Sequence, residues 1–453
     1  MAVPSSFFGT LFRRLTAVSL AALAVAGAVL PTHGIETSFG CRNLENNRTI
    51  PALEGAHGNF FRIQPDLRMY FPMNDALIAD LARLSDALAA RGTTLVYLPV
   101  PPKGMTMPSF LPDDARLYGF DPDLAQQVYT ETVAKLRDAG IVTVDLLDAL
   151  TNSDPSVELF FKADFHWTTT GAERAARAVA DTIKADSGYA DLVTSEFQTS
   201  LIGPERFVSS MRQLLQKSCV DSLPEAVTQT FETLENVDPN AAVDIFGGGG
   251  ADTISLVGTS FSEVAQFNFS GFISQYSGLN VRNLAISGGN QFASIASYLT
   301  SKSFDEDQPR YLIWENPIYN NLAQFGDGPL DELVTAVVGG CDPVPKSALQ
   351  FVADDELSVD LLSDSFVHAS MLLAEAGSIE SREISLTFTD SSGRVRTQSV
   401  TRPERFRASG RFFVPISNYS ADGFSTLSIR FDRAGATSAI ISACVSNPKG
   451  LTQ

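Results

Sequence analysis

The sequence predicts an α/β protein: a three-layer α/β/α domain built on a parallel sheet, followed by a small all-β sandwich. Three observations carry this prediction. Up to about residue 340, helical patterns alternate with short, continuously apolar strands, as in a parallel sheet covered on both faces. Past Cys341 the apolar period changes to two, and Ser-Gly, Asp-Gly and Ala-Gly turns separate the segments. A 44% hydrophobic content over 453 residues is ordinary for globular structure, and the length suits more than one domain.

In chain order, Arg13 and Arg14 precede the apolar run "LTAVSLAALAVAGAVL", and Ala26-Gly27-Ala28 offers small residues for cleavage. Residues 1–28 therefore read as a secretory signal, with a retained N-terminal anchor as the alternative. The run is too short and too Ala-rich for a membrane span, and no later stretch approaches about 18 apolar residues. Asn74 then caps a helix with Leu77, Leu81, Leu84 and Leu88 at helical spacing and Gly92 behind it. "TTLVYLPV" follows as a buried strand. A second helix begins near Pro122 and ends at Gly140, before the strand "IVTVDLL". The next helix spans Gly171 to about Lys184. A less regular stretch leads to "TISLVG", a helix, "LNVRNLAI", the helix "QFASIASYL" and the strand "RYLIWE". "FGGGGAD", residues 246–252, lacks the G-K-[ST] of a phosphate loop and reads as a connector. The boundary falls near Cys341, giving an α/β domain over 29–340 and a β-sandwich over 341–453, in which "REISLTFTD", "RFFVPIS" and "STLSIRFD" alternate apolar with polar residues. No internal repeat is visible.

The net charge of −19 argues against a nucleic-acid partner, which would require a basic surface. It leaves room for an anionic polymer where positive charge is concentrated locally. Such a place exists: Arg394, Arg396, Arg402, Arg405, Arg407 and Arg411 cluster around the single acidic Glu404. Arginine pairs carboxylates through two parallel hydrogen bonds, so the cluster reads either as a uronic-acid binding surface or as a solvated hairpin face. Cys41, Cys219, Cys341 and Cys444 are even in number, widely spaced and free of any C-x-x-C, which favours disulfides in an oxidising compartment. Of the three possible pairings, Cys41 with Cys219 and Cys341 with Cys444 is the simplest, each bridge closing one region. The four histidines have no ligand spacing, so no metal is expected, and no motif calls for a cofactor. His33, His57 and His368 read as surface or core residues.

The chemistry concentrates in two short motifs. "ISLVGTSFS" ends a buried strand in Gly-Thr-Ser and leads into a helix, and in parallel sheets ligands bind beyond the carboxyl ends of strands. Ser260 is the expected nucleophile, with a simple helix cap as the competing role. "DFHW" places Asp164 two residues before His166, the remaining two members of a serine triad. Lys103, in the loop after "VYLPVPP", is expected to border the cleft.

"VRNLAISGG" resembles the N-x-G-x-x-G block of SGNH hydrolases, with Ala285 in place of the first glycine. That resemblance implies that Gly288 gives its N–H to the oxyanion hole, and that Asn316, at the end of "YLIWENP", stands where the family carries its oxyanion asparagine. In SGNH hydrolases the Asp and His follow the serine, whereas here they precede it, which implies a circular permutation. The joint order of signal, D-x-H-W, G-T-S-[FY]-S, "LIWE" and a C-terminal β-domain is similar to the AlgX family of alginate O-acetyltransferases. The resemblance implies a periplasmic enzyme that transfers acetyl groups through an acetyl-serine to an exported acidic polysaccharide. Local charge and position, apart from the resemblance, make Arg402, Arg405, Arg407, Arg411 and Lys103 the candidate substrate contacts. It also implies a membrane-bound O-acyltransferase system as acetyl source and a place in a polysaccharide export complex. A secreted carbohydrate esterase using the same triad, and a polysaccharide-binding subunit with a vestigial one, are the competing functions.

Overall fold

The computed structural model describes residues 37–236, 250–433 and 435–445, so the expected signal, His33 and most of the Gly-rich connector lie outside the described residues. Five parallel strands form the central sheet: β1 (Thr94–Val100), β2 (Val142–Thr143), β3 (Thr253–Val257), β4 (Asn280–Asn283) and β5 (Tyr311–Pro317), in the order β2-β1-β5-β3-β4. "IVTVDLL" contributes only the two residues of β2 to the sheet. Six helices flank it: α1 (Asp75–Ala90), α2 (Pro122–Asp138), α3 (Thr169–Ala185), α4 (Phe269–Ser277), α5 (Ala293–Leu299) and α6 (Gly328–Val338). Asn74 caps α1 by accepting from Leu77 N–H at 2.9 Å, as its position predicts.

Alternation along the strands sorts the core into two layers. Leu95, Tyr97, Leu312 and Trp314 meet α1, α5 and α6 on one face. Val96, Leu98, Ile313, Ile254 and Leu256 meet α2, α3 and α4 on the other. Both faces are covered, which is why these strands read as unbroken apolar runs.

The irregular stretch after α3 holds an antiparallel ribbon, Phe197–Arg206 with Val227–Glu235, that the sequence did not announce. Between its strands a short helix, Ser210–Gln216, leads to Cys219, which is bonded to Cys41. From Cys341 onward two antiparallel sheets of four and five strands enclose a separate apolar core, with Cys341 bonded to Cys444 across neighbouring strands. This β region is keyed into the α/β layers: Phe406 joins the core beside α5 and α6, and Arg402 forms a buried ion pair with Glu332 of α6. Arg411 reaches Asp305 at 2.8 Å and Glu375 at 3.3 Å and donates to Thr300 O. Among the described residues no helix is long and apolar enough to cross a membrane.

Candidate active site

The turn that carries Ser260 grows out of β3. Gly258 follows the strand because a side chain there would collide with Glu315, whose carboxylate oxygen lies 2.5 Å from an ideal Cβ position. Glu315 comes from the neighbouring β5 and is fully buried. It accepts from Thr259 N–H at 2.7 Å, from the Thr259 hydroxyl at 3.0 Å and from the Ser262 hydroxyl at 3.0 Å. Burial pushes its pKa up to about 7, against those hydrogen bonds. Three donors of the Thr259–Ser262 turn thus converge on one carboxylate. Ser260 opens a single helical turn, so its N–H has no intrahelical acceptor.

The partner residues arrive from the segment before α3. His166 Nδ1 lies 2.6 Å from Asp164 Oδ1 and His166 Nε2 lies 2.7 Å from Ser260 Oγ, so the ring bridges the two side chains across 94 residues of sequence. The same Asp164 oxygen accepts from His166 N–H at 2.8 Å. Its other oxygen accepts from the Ser209 hydroxyl at 2.5 Å, and Ser209 in turn caps the short helix that precedes Cys219. Burial works to raise the Asp164 pKa, but the His166 and Ser209 hydrogen bonds prevail and hold it below the usual carboxylate range.

The aromatics flanking the histidine have separate tasks. Phe165, Phe261, Phe207 and Phe267 surround the imidazole, with ring centroids between 4.0 and 5.9 Å away. Trp167 is buried and donates Nε1–H to Phe261 O at 3.0 Å, which ties the Asp-His segment directly to the serine turn. Behind Phe165 the Arg62 guanidinium stacks at 3.9 Å, held by Asp66 and the Tyr319 hydroxyl.

Gly288 lies in the turn after β4 with φ +68°, a conformation open to glycine at little cost. The turn is held beside the Ser260 turn by Ile286 N–H on Gly258 O at 3.1 Å and by the Ser287 hydroxyl on Glu263 at 2.6 Å. The Arg405 guanidinium, from the β region, lies over Gly288, about 3.9 Å from where a Cβ would stand. Arg405 and Arg407 are exposed.

Other expected residues are placed elsewhere. Asn316 is buried, donates to the Tyr97 hydroxyl at 3.0 Å and accepts from Asn320. The oxyanion role implied for it stands as a proposal, beside these two hydrogen bonds. Lys103 does not border the cleft: it is 1% exposed, and its ammonium is enclosed by backbone carbonyls. Arg402 and Arg411 are spent on the buried ion pairs described above, which leaves Arg405 and Arg407 as the accessible members of that set. Sequence reasoning missed Ser209, Phe207 and the role of Glu315. Only Glu315 had left a signal, a carboxylate inside an otherwise apolar strand, which demands buried donors. Among the described residues no cluster of His, Cys, Asp and Glu has the makings of a metal site.

Comparisons with known proteins bear on this geometry. A family model described as "SGNH hydrolase-like domain, acetyltransferase AlgX" matches residues 53–318. The alginate biosynthesis protein AlgX of Pseudomonas aeruginosa is 35% identical over 264 residues, which is 58% of this chain and 55% of that protein. A protein of the same organism named "Probable alginate O-acetylase AlgJ" is 27% identical over 269 residues, 56% of this chain and 66% of that one. The chain thus spans between about half and two thirds of the length of these curated relatives. In three dimensions the solved structure of P. aeruginosa AlgX superposes with a TM-score of 0.74 at 25% identity, covering 90% of this chain and 98% of that one.

Proposed function

Since this chain belongs to the AlgX family of SGNH hydrolase-like acetyltransferases, its matching segment covering more than half its length, we propose that it transfers acetyl groups to hydroxyls of an acidic exopolysaccharide through an acetyl-Ser260 intermediate. One observation carries the proposal: the His166 ring bridges Asp164 and Ser260 at hydrogen-bond distance on both sides. Serine is a weak nucleophile until an adjacent base takes its proton. In the first half-reaction Ser260 Oγ attacks the acetyl carbonyl of the donor and its proton passes to His166 Nε2. Asp164 fixes the tautomer and stabilises the imidazolium. The tetrahedral oxyanion is met by the N–H groups of Ser260 and Gly288, each donor contributing about 3 kcal/mol in known cases. Collapse expels the donor's leaving group, which receives the proton back from His166. An acceptor sugar hydroxyl then attacks the acetyl-serine, His166 takes its proton, and the second collapse frees Ser260 with that proton restored.

An acidic acceptor is supported by Arg405, exposed beside the Gly288 turn at the rim of the proposed cleft, with Arg407 nearby in sequence. The alginate-related names of the relatives point to the same chemistry. Two formed disulfides support an exported, oxidising location such as the periplasm. A membrane-bound acyltransferase as acetyl source and a place in an export complex belong to the same proposal.

The test incubates the protein with 4-nitrophenyl acetate, with and without acidic polysaccharides, and follows protein, polymer and acetate by mass spectrometry. Acetyl on Ser260 that moves to the polymer is the expected result. Acetate alone would make the protein an esterase, and an unmodified Ser260 would overturn the mechanism.

A further inference from the structure

The segment that presents Asp164 and His166 belongs to no strand or helix, yet its carbonyls converge on one side chain. Lys103 Nζ lies 2.7 Å from Phe161 O, 2.9 Å from Lys162 O and 3.2 Å from Asp164 O. A fourth carbonyl, Phe60 O, lies at 3.1 Å. Phe60 N–H in turn donates to Lys162 O at 2.7 Å, so the ammonium and the neighbouring short strand grip the same peptide. Lys103 makes no salt bridge among the described residues. The charged groups facing it, Asp66, Asp164, Glu158 and Arg62, act at longer range, and Glu158 is itself paired with Lys162. The root of the side chain is fixed too, because Gly104 approaches Asp66 O so closely that a Cβ would lie 2.3 Å from it. Burying an ammonium is costly, and an apolar residue would fill the same volume without that cost. What the apolar residue would lack is three N–H groups aimed at carbonyls that otherwise repel one another.

We propose that Lys103 is a positioning residue for the triad: by gathering the carbonyls of Phe161, Lys162 and Asp164, its ammonium sets the direction from which the Asp164 carboxylate and the His166 ring approach Ser260. The inference rests on the proposed role of Asp164, His166 and Ser260. Asp164 is held at both ends, its carbonyl on Lys103 and its carboxylate on His166 and Ser209. With the ammonium gone, the peptide at Asp164 is free to rotate. A displacement of about 1 Å takes His166 Nε2 out of reach of Ser260, a misplacement that costs about 10²-fold in rate.

Lys103→Met is the first test. We expect kcat for 4-nitrophenyl acetate to fall about 10²-fold with KM within about twofold, and the downfield proton resonance of the His166–Asp164 hydrogen bond to shift or vanish. Wild-type kcat with an unshifted resonance would overturn the proposal, as would a raised KM with unchanged kcat. The resonance requires no acetyl transfer, so if the wild type turned over no ester the proposed function would fail while the resonance still decided the role of Lys103. Should Lys103→Met not fold, Lys103→Arg decides: it keeps the charge, but its planar fork does not match the cage. A weaker kcat-selective loss with a shifted resonance supports the proposal, and wild-type behaviour in both readouts removes it.

Discussion

Ser260 stands on a turn at the carboxyl end of a central strand, where the sheet itself delivers it, whereas Asp164 and His166 stand on a segment without regular structure. Each half is nevertheless organised around one buried ionisable group of opposite kind. Glu315 collects donors beneath the serine turn, and Lys103 collects acceptors beneath the Asp-His segment. The contrast teaches that a strand end delivers the proposed nucleophile with a single carboxylate behind it, while the proposed base needs a wider polar scaffold. Ser209, Trp167 and the ring of phenylalanines belong to that second scaffold.

The largest expected effect comes from the better-anchored half. Ser260→Ala should lower the rate of acetyl turnover by about 10⁶-fold, the loss seen when such a nucleophile is removed elsewhere, and should eliminate acetyl-protein in the mass spectrum. Residual acylation at another residue would break the assignment of the nucleophile.

Asp164→Asn tests the other half. It preserves shape but presents the wrong donor to Nδ1, and the comparable change in the best-studied triad costs about 10⁴-fold. Steady-state kcat with an unchanged thermal midpoint is the expected outcome. An equal loss of fold would shift Asp164 from chemistry to structure.

The two buried groups should also oppose each other in the pH dependence of stability. Glu315 has its pKa raised to about 7, chiefly by burial, so between about 4.5 and 7 the folded state keeps a proton that the unfolded chain releases. Stability therefore falls as pH rises through that window, by roughly 3 kcal/mol at most. Lys103 has its pKa lowered to about 7 by burial, with Asp66 and Asp164 opposing. Between about 7 and 10.5 the unfolded chain holds the extra proton, so stability rises with pH there. Urea unfolding across pH should show a shallow minimum near neutrality from this pair. Glu315→Gln should flatten only the acid side, and an unchanged acid slope would show that Glu315 stays ionised in the fold.

The smallest effect separates orientation from charge. Ser209→Ala removes one charge-assisted hydrogen bond from Asp164, worth about 1.5 kcal/mol, or roughly tenfold in kcat. The pH–rate profile should move at the same time, because the freed carboxylate oxygen binds protons more readily. A rate loss without that movement would make Ser209 only a helix cap.

Much of the architecture was legible from local pattern. Apolar strands between amphipathic helices, the Asn74 cap, the change of period at Cys341 and the pairing of Cys41 with Cys219 and Cys341 with Cys444 all reappear in the fold. The places of the two motifs were legible for the same reason, since a Gly-Thr-Ser after a strand and an Asp-x-His before a helix are short-range signals. The ribbon at Phe197–Arg206 and Val227–Glu235 was hidden because its exposed, polar alternation resembles loop composition.

Tertiary structure alone decided where the isolated charges went. Arg402 and Arg411 read like Arg405 in the sequence, yet two are locked into ion pairs with Glu332 and Asp305 and the third lies exposed over Gly288. Lys103, expected at a cleft, is buried under a segment about sixty residues further along the chain. The physical reason is one of range. Backbone preference and apolar periodicity act over a few residues and repeat, so a sequence displays them, whereas the partner that satisfies a buried charge is a single contact whose position exists only once the layers have closed.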